Sequence, residues 1–525
     1  MPHAPRLLPI RIMFSMSLAC LSSWSHAAQA QDDLPPVGHS RFDQLIGNAP
    51  VPYPFSRLVT IINRQMQPDP GGLSPLKITL IPLGRSLQRD AGAPDFFRFP
   101  RVVAAADGNN RPGIAPLKDR LFLGYHEKGN VLEVISYNDA AGRFEFQVVR
   151  DYQAGKTPQI YYARRSLCMA CHQNIAPIFA RPLWDETPAN PAIAEHLKKT
   201  RRDFYGVKLT GTDIAYFIDA STDRANLFSV WQTLWQQGCG QGDAGDQCRI
   251  QALATALDYA RSKKRPADNA LPALDRNWTI QWPQGLNIPN PDLPNRNPLA
   301  KLQHASNDPL LLRPPLTTWH VPDKTAFIVG LADMLDANAV KQLGQRDLSA
   351  PLDSLRARGA LAARPFSQAL LTTLLAELGV PNNTAPTRLP RPRAEPYSPA
   401  TSTHALFRIH CASCHDTTLP HPPNFLHGKP AQVEANLEQC AARIFVRLSM
   451  AEVAEAVHGI SPMPPASALA NRGIPPHQWA KSAELSALKH SIESRLRGKT
   501  STLLRQPYAS LPPCLAQDSY AEHAP

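Results

Sequence analysis

Cys168-Met169-Ala170-Cys171-His172 and Cys411-Ala412-Ser413-Cys414-His415 decide how this chain is read. Each is a C-x-x-C-H run. At that spacing two thiols can add across the vinyl groups of one porphyrin, and the next imidazole reaches the iron from one side. With nine Cys and 17 His in 525 residues, chance supplies about 0.005 such runs. The chain has two. They assign Cys168, Cys171, Cys411 and Cys414 to covalent attachment of two c-type haems, and His172 and His415 to axial ligation of the irons. Zinc held by the four thiols does not explain the trailing His in both copies. A thioredoxin-like dithiol needs a surrounding βαβ pattern, which neither run has.

The sequence outside the motifs gives the rest of the organisation. Residues 1–30 read as a secretory signal: Arg6 and Arg11 give a positive start, Ile12 to Leu21 is mostly apolar, and Ala28-Gln29-Ala30 has the small residues of a cleavage site. Cleavage is expected after Ala30; lipidation at Cys20, in Ser17-Leu18-Ala19-Cys20, is the alternative. No later stretch is long enough to span a bilayer, so no transmembrane anchor is expected. Covalent haem in an exported chain points to a periplasm. The formal charge of +12 falls by two, to +10, when the two arginines leave with the signal. A moderately basic surface suits docking to a redox partner protein with an acidic face. The basic residues are dispersed and not interleaved with aromatics, which argues against nucleic acid.

Eight cysteines remain after Cys20 leaves, four in the motifs and four others. In an oxidising compartment an even remainder suggests two disulfides. Cys239 and Cys248 are neighbours in sequence, and Cys440 with Cys514 follows by elimination.

The expected fold is mainly α around two haems, with an N-terminal β-containing (α+β) segment and a small C-terminal haem domain. Residues 31–155 carry strand patterns at Lys77–Leu83 and Leu121–Tyr125. A hairpin is expected from Val131–Tyr137 and Arg143–Val149, where Phe144, Phe146 and Val148 share one face and Arg143, Glu145 and Gln147 the other. Residues 156–380 hold the first motif and then helices: Leu227, Val230, Trp231, Leu234 and Trp235 are at helical spacing, stopped by Gly238, and Ile250, Leu253, Leu257 and Ala260 form a second stripe. The two Trp read as core. Further helices are expected around Ala326–Gly344 and Phe366–Leu378. Six prolines in 381–399 mark a linker, and 400–525 forms the last domain. Proline, 53 of 525 residues, is about double its usual share, which suits irregular segments wrapped around cofactors.

The last domain resembles a class I cytochrome c. His404–His410 leads into Cys411, and Pro422-Pro423-Asn424-Phe425-Leu426-His427-Gly428 resembles the proline loop that follows the motif. Glu434–Leu448 reads as helix. Ser461-Pro462-Met463-Pro464-Pro465 looks like the loop that carries the sixth ligand, and Leu485, Leu488, Ile492 and Leu496 form the stripe of a closing helix. The resemblance implies that Met463 is the distal ligand of haem 2; His427 and His458 are the alternatives. His/Met ligation suits electron transfer. The first motif has no such sequel, since no Met occurs between Met169 and Met334. Haem 1 then takes a distant His, with His126, His196, His304 and His320 as candidates, or keeps an open position for peroxide or oxygen. Arg164, Arg165 and Arg181 are candidates to pair with its propionates.

The whole arrangement is similar to the bacterial dihaem peroxidase and MauG-like superfamily, which includes rubber oxygenases. That resemblance implies a C-terminal electron-transfer haem serving an N-terminal reactive one, and hence a haem-dependent oxidoreductase acting on peroxide, oxygen or an organic substrate. The motifs here begin 243 residues apart, Cys168 to Cys411, wider than is typical of the dihaem peroxidases. The rival reading is a pure electron carrier with both irons six-coordinate.

Overall fold

The structure is a computed structural model. It describes residues 37–68, 72–84, 86, 91–111, 114–169, 172, 186–209, 213–289, 297–299, 316–335, 337–361, 365–377, 379, 389, 393, 404–417, 422–453, 460–470, 472–498 and 500–514. The expected signal with its cleavage site, Cys20, Cys171, Arg181, His304, His458 and all of the proline-rich linker except Leu389 and Arg393 lie outside the described residues.

The first half is organised by one six-stranded antiparallel meander, in which strands pair in the order they occur. These are β1 (Leu76–Ile81), β2 (Arg101–Ala106), β3 (Leu121–His126), β4 (Val131–Asn138), β5 (Arg143–Arg150) and β6 (Gln159–Tyr162). The hairpin sits at β4–β5, with Asn138 opposite Arg143. Gly142 closes its turn at φ +61°, a left-handed value that a side chain would strain.

Period-2 alternation gives the sheet two working faces. On one, Leu80, Ala104, Leu123, Tyr125, Val134 and Val149 pack with Phe42 and Ile46 of α1 (Arg41–Ile46). Phe55 and Leu58 of α2 (Phe55–Arg64) join the same cluster. On the other face, Val103, Phe122, Ile135, Tyr137, Phe144, Phe146 and Val148 share a core with the helices that follow the first motif. The sheet is thus covered on both sides. Glu145 and Gln147, on the face opposite Phe144 and Phe146 as the alternation predicts, are buried. Gln147 accepts from Ser40 Oγ at 2.7 Å and donates to Asp43 at 2.8 Å. Glu145 pairs with Arg143 at 2.7 Å and lies 3.6 Å from Arg165. Alternation identified the two faces, but the capping residues of α1 decided that both would be dry.

After β6 come α3 (Arg165–Met169), α4 (Pro191–Lys199), α5 (Asp213–Thr233), α6 (Gly242–Ser262) and α7 (Pro272–Gln281). They are followed by α8 (Lys324–Met334), α9 (Ala337–Leu343), α10 (Ser349–Ala357) and α11 (Gln368–Glu377). A two-stranded ribbon, β7 (Leu286–Pro289) with β8 (Leu316–Trp319), separates α7 from α8. α5 ends in a π-turn, Leu234–Gly238, and the Cys239–Cys248 disulfide bridges the passage from this turn into α6. Trp231 and Trp235 are buried. Trp231 lies against Gly330 of α8, where a Cβ would stand 2.0 Å from the indole, so only glycine permits that approach. Sheet residues of the expected 31–155 segment and helical residues of 156–380 fill this one core. The expected boundary at 155/156 therefore runs through a shared hydrophobic cluster.

The C-terminal portion is built from α12 (Ala405–His415), α13 (Pro430–Ser449) and α14 (Ala483–Leu496), with short helical turns at Ala466–Ala470 and Pro476–Trp479. Its core of Phe407, Leu426, Leu437, Cys440, Trp479, Leu485, Leu488 and Ile492 draws on residues 406–514 alone. Pro430 opens α13 at a position where a missing N–H costs nothing. Ser482 caps α14 by accepting the Leu485 N–H at 3.1 Å. The Cys440–Cys514 disulfide ties the chain beyond α14 back to α13. Within the proline-rich stretch, the Arg393 carbonyl accepts the Tyr162 N–H at 2.7 Å, and Arg393 Nη1 donates to Gln159 at 2.9 Å. The segment is held along the outer edge of β6 at this point. No described helix is long and apolar enough to cross a membrane.

Two candidate cofactor sites

The second motif occupies the last turn of α12. The His415 Nδ1 lies 2.7 Å from the Pro423 carbonyl oxygen. A carbonyl only accepts, so Nδ1 carries the proton and Nε2 presents its lone pair. Burial pushes His415 down to about 4, partly opposed by the Pro423 bond and reinforced by the charge of Arg447. The ring is therefore neutral at pH 7, the state in which imidazole binds iron. Phe425 stacks on it at 4.4 Å between ring centres, and the Leu426 N–H donates to the His415 carbonyl at 2.9 Å. Residues 423–426 thus wrap one side of the imidazole.

Cys411 is buried, and burial followed by the neighbouring Cys414 pushes its thiol up to about 12. A reactive dithiol has the opposite perturbation, a depressed pKa near positive charge. Directly after the motif, Asp416 is fully buried, 3.0 Å from Arg408 Nη1 and 3.0 Å from His427 Nδ1. His427 follows the loop that wraps His415 and turns its Nδ1 to this carboxylate. Nothing in the sequence other than the position of Asp416 beside the motif signalled this network.

Met463 is half-buried, and its N–H donates to the Arg447 carbonyl at 3.1 Å. Arg447 Nη1 donates to the Ser461 carbonyl at 2.9 Å. Arg447 therefore holds the Ser461–Pro465 loop at Ser461 and at Met463, while its charge is felt at His415. One residue of α13 connects His415 to the loop expected to carry the sixth ligand.

The first motif is placed differently. α3 is a five-residue helix leaving the edge strand β6. Cys168 and Met169 are half-buried against the sheet–helix core. The His172 N–H donates to the Cys168 carbonyl at 2.9 Å, and its ring lies 5.2 Å from Phe146 of β5. Arg165, expected on a propionate, donates to the Phe144 carbonyl at 2.7 Å and faces Glu145. Arg164 donates from Nη1 to the Ala412 carbonyl at 3.2 Å.

The distal candidates separate on position. His126 is buried on β3 and, by alternation, shares the face of Phe122 and Phe146. His196 is on α4, whose Ile193 and Leu197 pack on the opposite sheet face; it stacks on Phe97 at 4.8 Å. It therefore stands across the sheet from His172. His320 is exposed at the start of a single helical turn, where its N–H donates to Asp323.

The two motifs, remote in sequence, are neighbours in space. α3 lies against α12, and the Arg164–Ala412 bond joins residues 248 apart. Compared with family models, curated proteins and solved structures, the chain matches none.

Proposed function

We propose that this chain is an exported c-type cytochrome carrying two haems, with a cytochrome c-like C-terminal domain and a division of labour between the sites. Haem 2 would be held by Cys411, Cys414, His415 and Met463, and haem 1 by Cys168, Cys171 and His172. The observation that carries the reading is the His415 clamp. In a C-x-x-C-H run, the imidazole following the thiols is neutral, fixed in one tautomer by Pro423, and packed on Phe425. The donor set fits a covalently bound porphyrin: two thiols on one helical turn and one oriented imidazole.

When bound, each haem supplies a one-electron iron couple. The protein's contribution at the second site is to hold His415 Nε2 ready, keep the Ser461–Pro465 loop on Arg447, and exclude water with Phe425, Leu426 and Pro464. This suits rapid electron transfer with little reorganisation. At the first site, no Met follows the motif until Met334. Of the candidate ligands, His196 stands across the sheet from His172 and His320 is exposed. The reading is an open position at haem 1, reactive toward peroxide or oxygen and served with electrons by haem 2. The basic chain would meet a redox partner through an acidic face on that partner.

The test is the mass and optical spectrum of protein exported from a host that attaches haem to C-x-x-C-H. Two covalent haems are expected, with a ferric sulfur-to-iron band from haem 2 and a high-spin band that changes with peroxide. A polypeptide without covalent haem would end the reading. Two haems indifferent to peroxide in both the ferric and half-reduced states would leave the electron carrier. Met463→Ala is expected to abolish the sulfur-to-iron band, and its persistence would remove Met463 from the site.

A further inference from the structure

Arg164 and Arg165 are consecutive, both buried, and they point to different parts of the molecule. Arg165 turns back to the sheet, to the Phe144 carbonyl and Glu145. Arg164 reaches across to α12 and donates to the carbonyl of Ala412, the residue immediately after Cys411 in the second attachment run. It stands four residues before Cys168 and is bonded to it, since the Cys168 N–H donates to the Arg164 carbonyl at 3.3 Å. One residue thus touches both attachment runs, the first through its backbone and the second through its guanidinium.

The acceptor suits a cation. Ala412 O lies in the last turn of α12, the negative end of the helix dipole, and also takes the Asp416 N–H at 3.0 Å. A guanidinium stays charged in any environment and holds its geometry through a planar fork. In a junction where water is largely excluded, its field acts at low dielectric on whatever charge changes nearby. Reduction of a haem iron removes one positive charge from the site. A fixed cation between two such sites therefore favours the reduced state of both.

We propose that Arg164 is the positioning residue that couples the two haem sites: it fixes the spacing of the attachment helices α3 and α12 and raises both reduction potentials. The inference rests on the dihaem reading. It assigns Arg164 to the contact between the sites and away from propionate binding.

The experiment uses the full-length, exported protein and compares wild type with Arg164→Gln and Arg164→Lys. Haem content and circular dichroism are recorded first. Redox titration then follows the haem 2 sulfur-to-iron band and the haem 1 high-spin band separately, and stopped-flow measures electron passage from haem 2 to haem 1. Arg164→Gln is expected to shift both midpoints downward and slow the interhaem step. Arg164→Lys is expected to restore the midpoints, because it keeps the charge, while leaving the step slow, because it lacks the fork. Unchanged midpoints and rate in Arg164→Gln with both haems present would overturn the inference. If Arg164→Gln does not load haem, Arg164→Lys decides through the interhaem rate, since wild-type speed would overturn the positioning role. Wild-type protein lacking two haems would instead overturn the function proposed above.

Discussion

The two C-x-x-C-H runs are chemically alike, but the protein surrounds them in opposite ways. Around the second, most of the described partners are local, with Arg447 and the Arg164 guanidinium on Ala412 as the distant ones. Pro423, Phe425, Asp416 and His427 lie within twelve residues of His415, and the C-terminal core closes on its own residues. Around the first, the described partners come from elsewhere. Phe146 and the Phe144 carbonyl come from the sheet, and Arg164 reaches to α12. The second site is built mainly from its own neighbourhood, whereas the first is assembled from the rest of the fold. This suits their proposed roles. An electron-transfer site gains from a rigid local cage, and a reactive site needs walls that a larger scaffold can shape.

Removing the thiols tests this contrast most severely. Cys411→Ser with Cys414→Ser is expected to lose one of two haems and the sulfur-to-iron band, while haem 1 and the sheet signal in circular dichroism survive. Loss of both haems by mass would show that the second site is not built mainly from its own neighbourhood.

The disulfides give the next largest effect. Cys440–Cys514 closes a loop of 74 residues and Cys239–Cys248 one of nine. In the chain-entropy model removing them costs about 4 and about 3 kcal/mol respectively. Urea unfolding of the two double Cys→Ala variants should show the larger loss confined to the haem 2 region. Equal losses would argue that the C-terminal core holds its end without the bridge.

Gly330→Ala is a smaller perturbation of the shared core. The new Cβ would meet Trp231 at 2.0 Å, and overpacking of this kind costs about 1–3 kcal/mol. Thermal unfolding should register that loss with the haem 2 spectrum unchanged. A shifted haem 2 spectrum would reveal coupling through the helices.

The smallest effect is electrostatic. Burial holds the Asp139 carboxyl above its ordinary value, opposed by Arg41, the Gln368 N–H and Arg120. The folded chain therefore binds this proton more tightly than the unfolded one, and stability from this group is lost as pH rises from the ordinary carboxyl value through the raised one. Asp139→Asn removes that slope. Its stability relative to wild type should improve as pH rises above the ordinary carboxyl value of about 4. A constant difference would assign the perturbation elsewhere.

What the sequence disclosed follows the same division. The hairpin at Asn138–Arg143, the helices carrying Trp231 and Leu253, and the Cys239–Cys248 pairing were legible because neighbouring residues determine them, and Cys440–Cys514 followed only by elimination. Alternation put Glu145 and Gln147 on the face opposite Phe144 and Phe146, but it cannot say that Ser40, Asp43 and Arg165 will meet them there. The boundary expected at 155/156 came from a change in local pattern, whereas the core that crosses it depends on Phe144 packing 5.9 Å from Phe228. The contact between α3 and α12 was hidden for the same reason: no local signal pairs Arg164 with a carbonyl 248 residues away.

The bond from Tyr162 to the Arg393 carbonyl has a consequence for solubility. A six-stranded meander has two open edges, and an unpaired edge is a template for pairing with another molecule. The Arg393 carbonyl satisfies one edge donor of β6, and Arg393 Nη1 reaches Gln159 of the same strand. At Arg393, the stretch between the two halves also covers part of the sheet edge. Shortening it would unmask an edge, and the expected sign is self-association of otherwise folded protein.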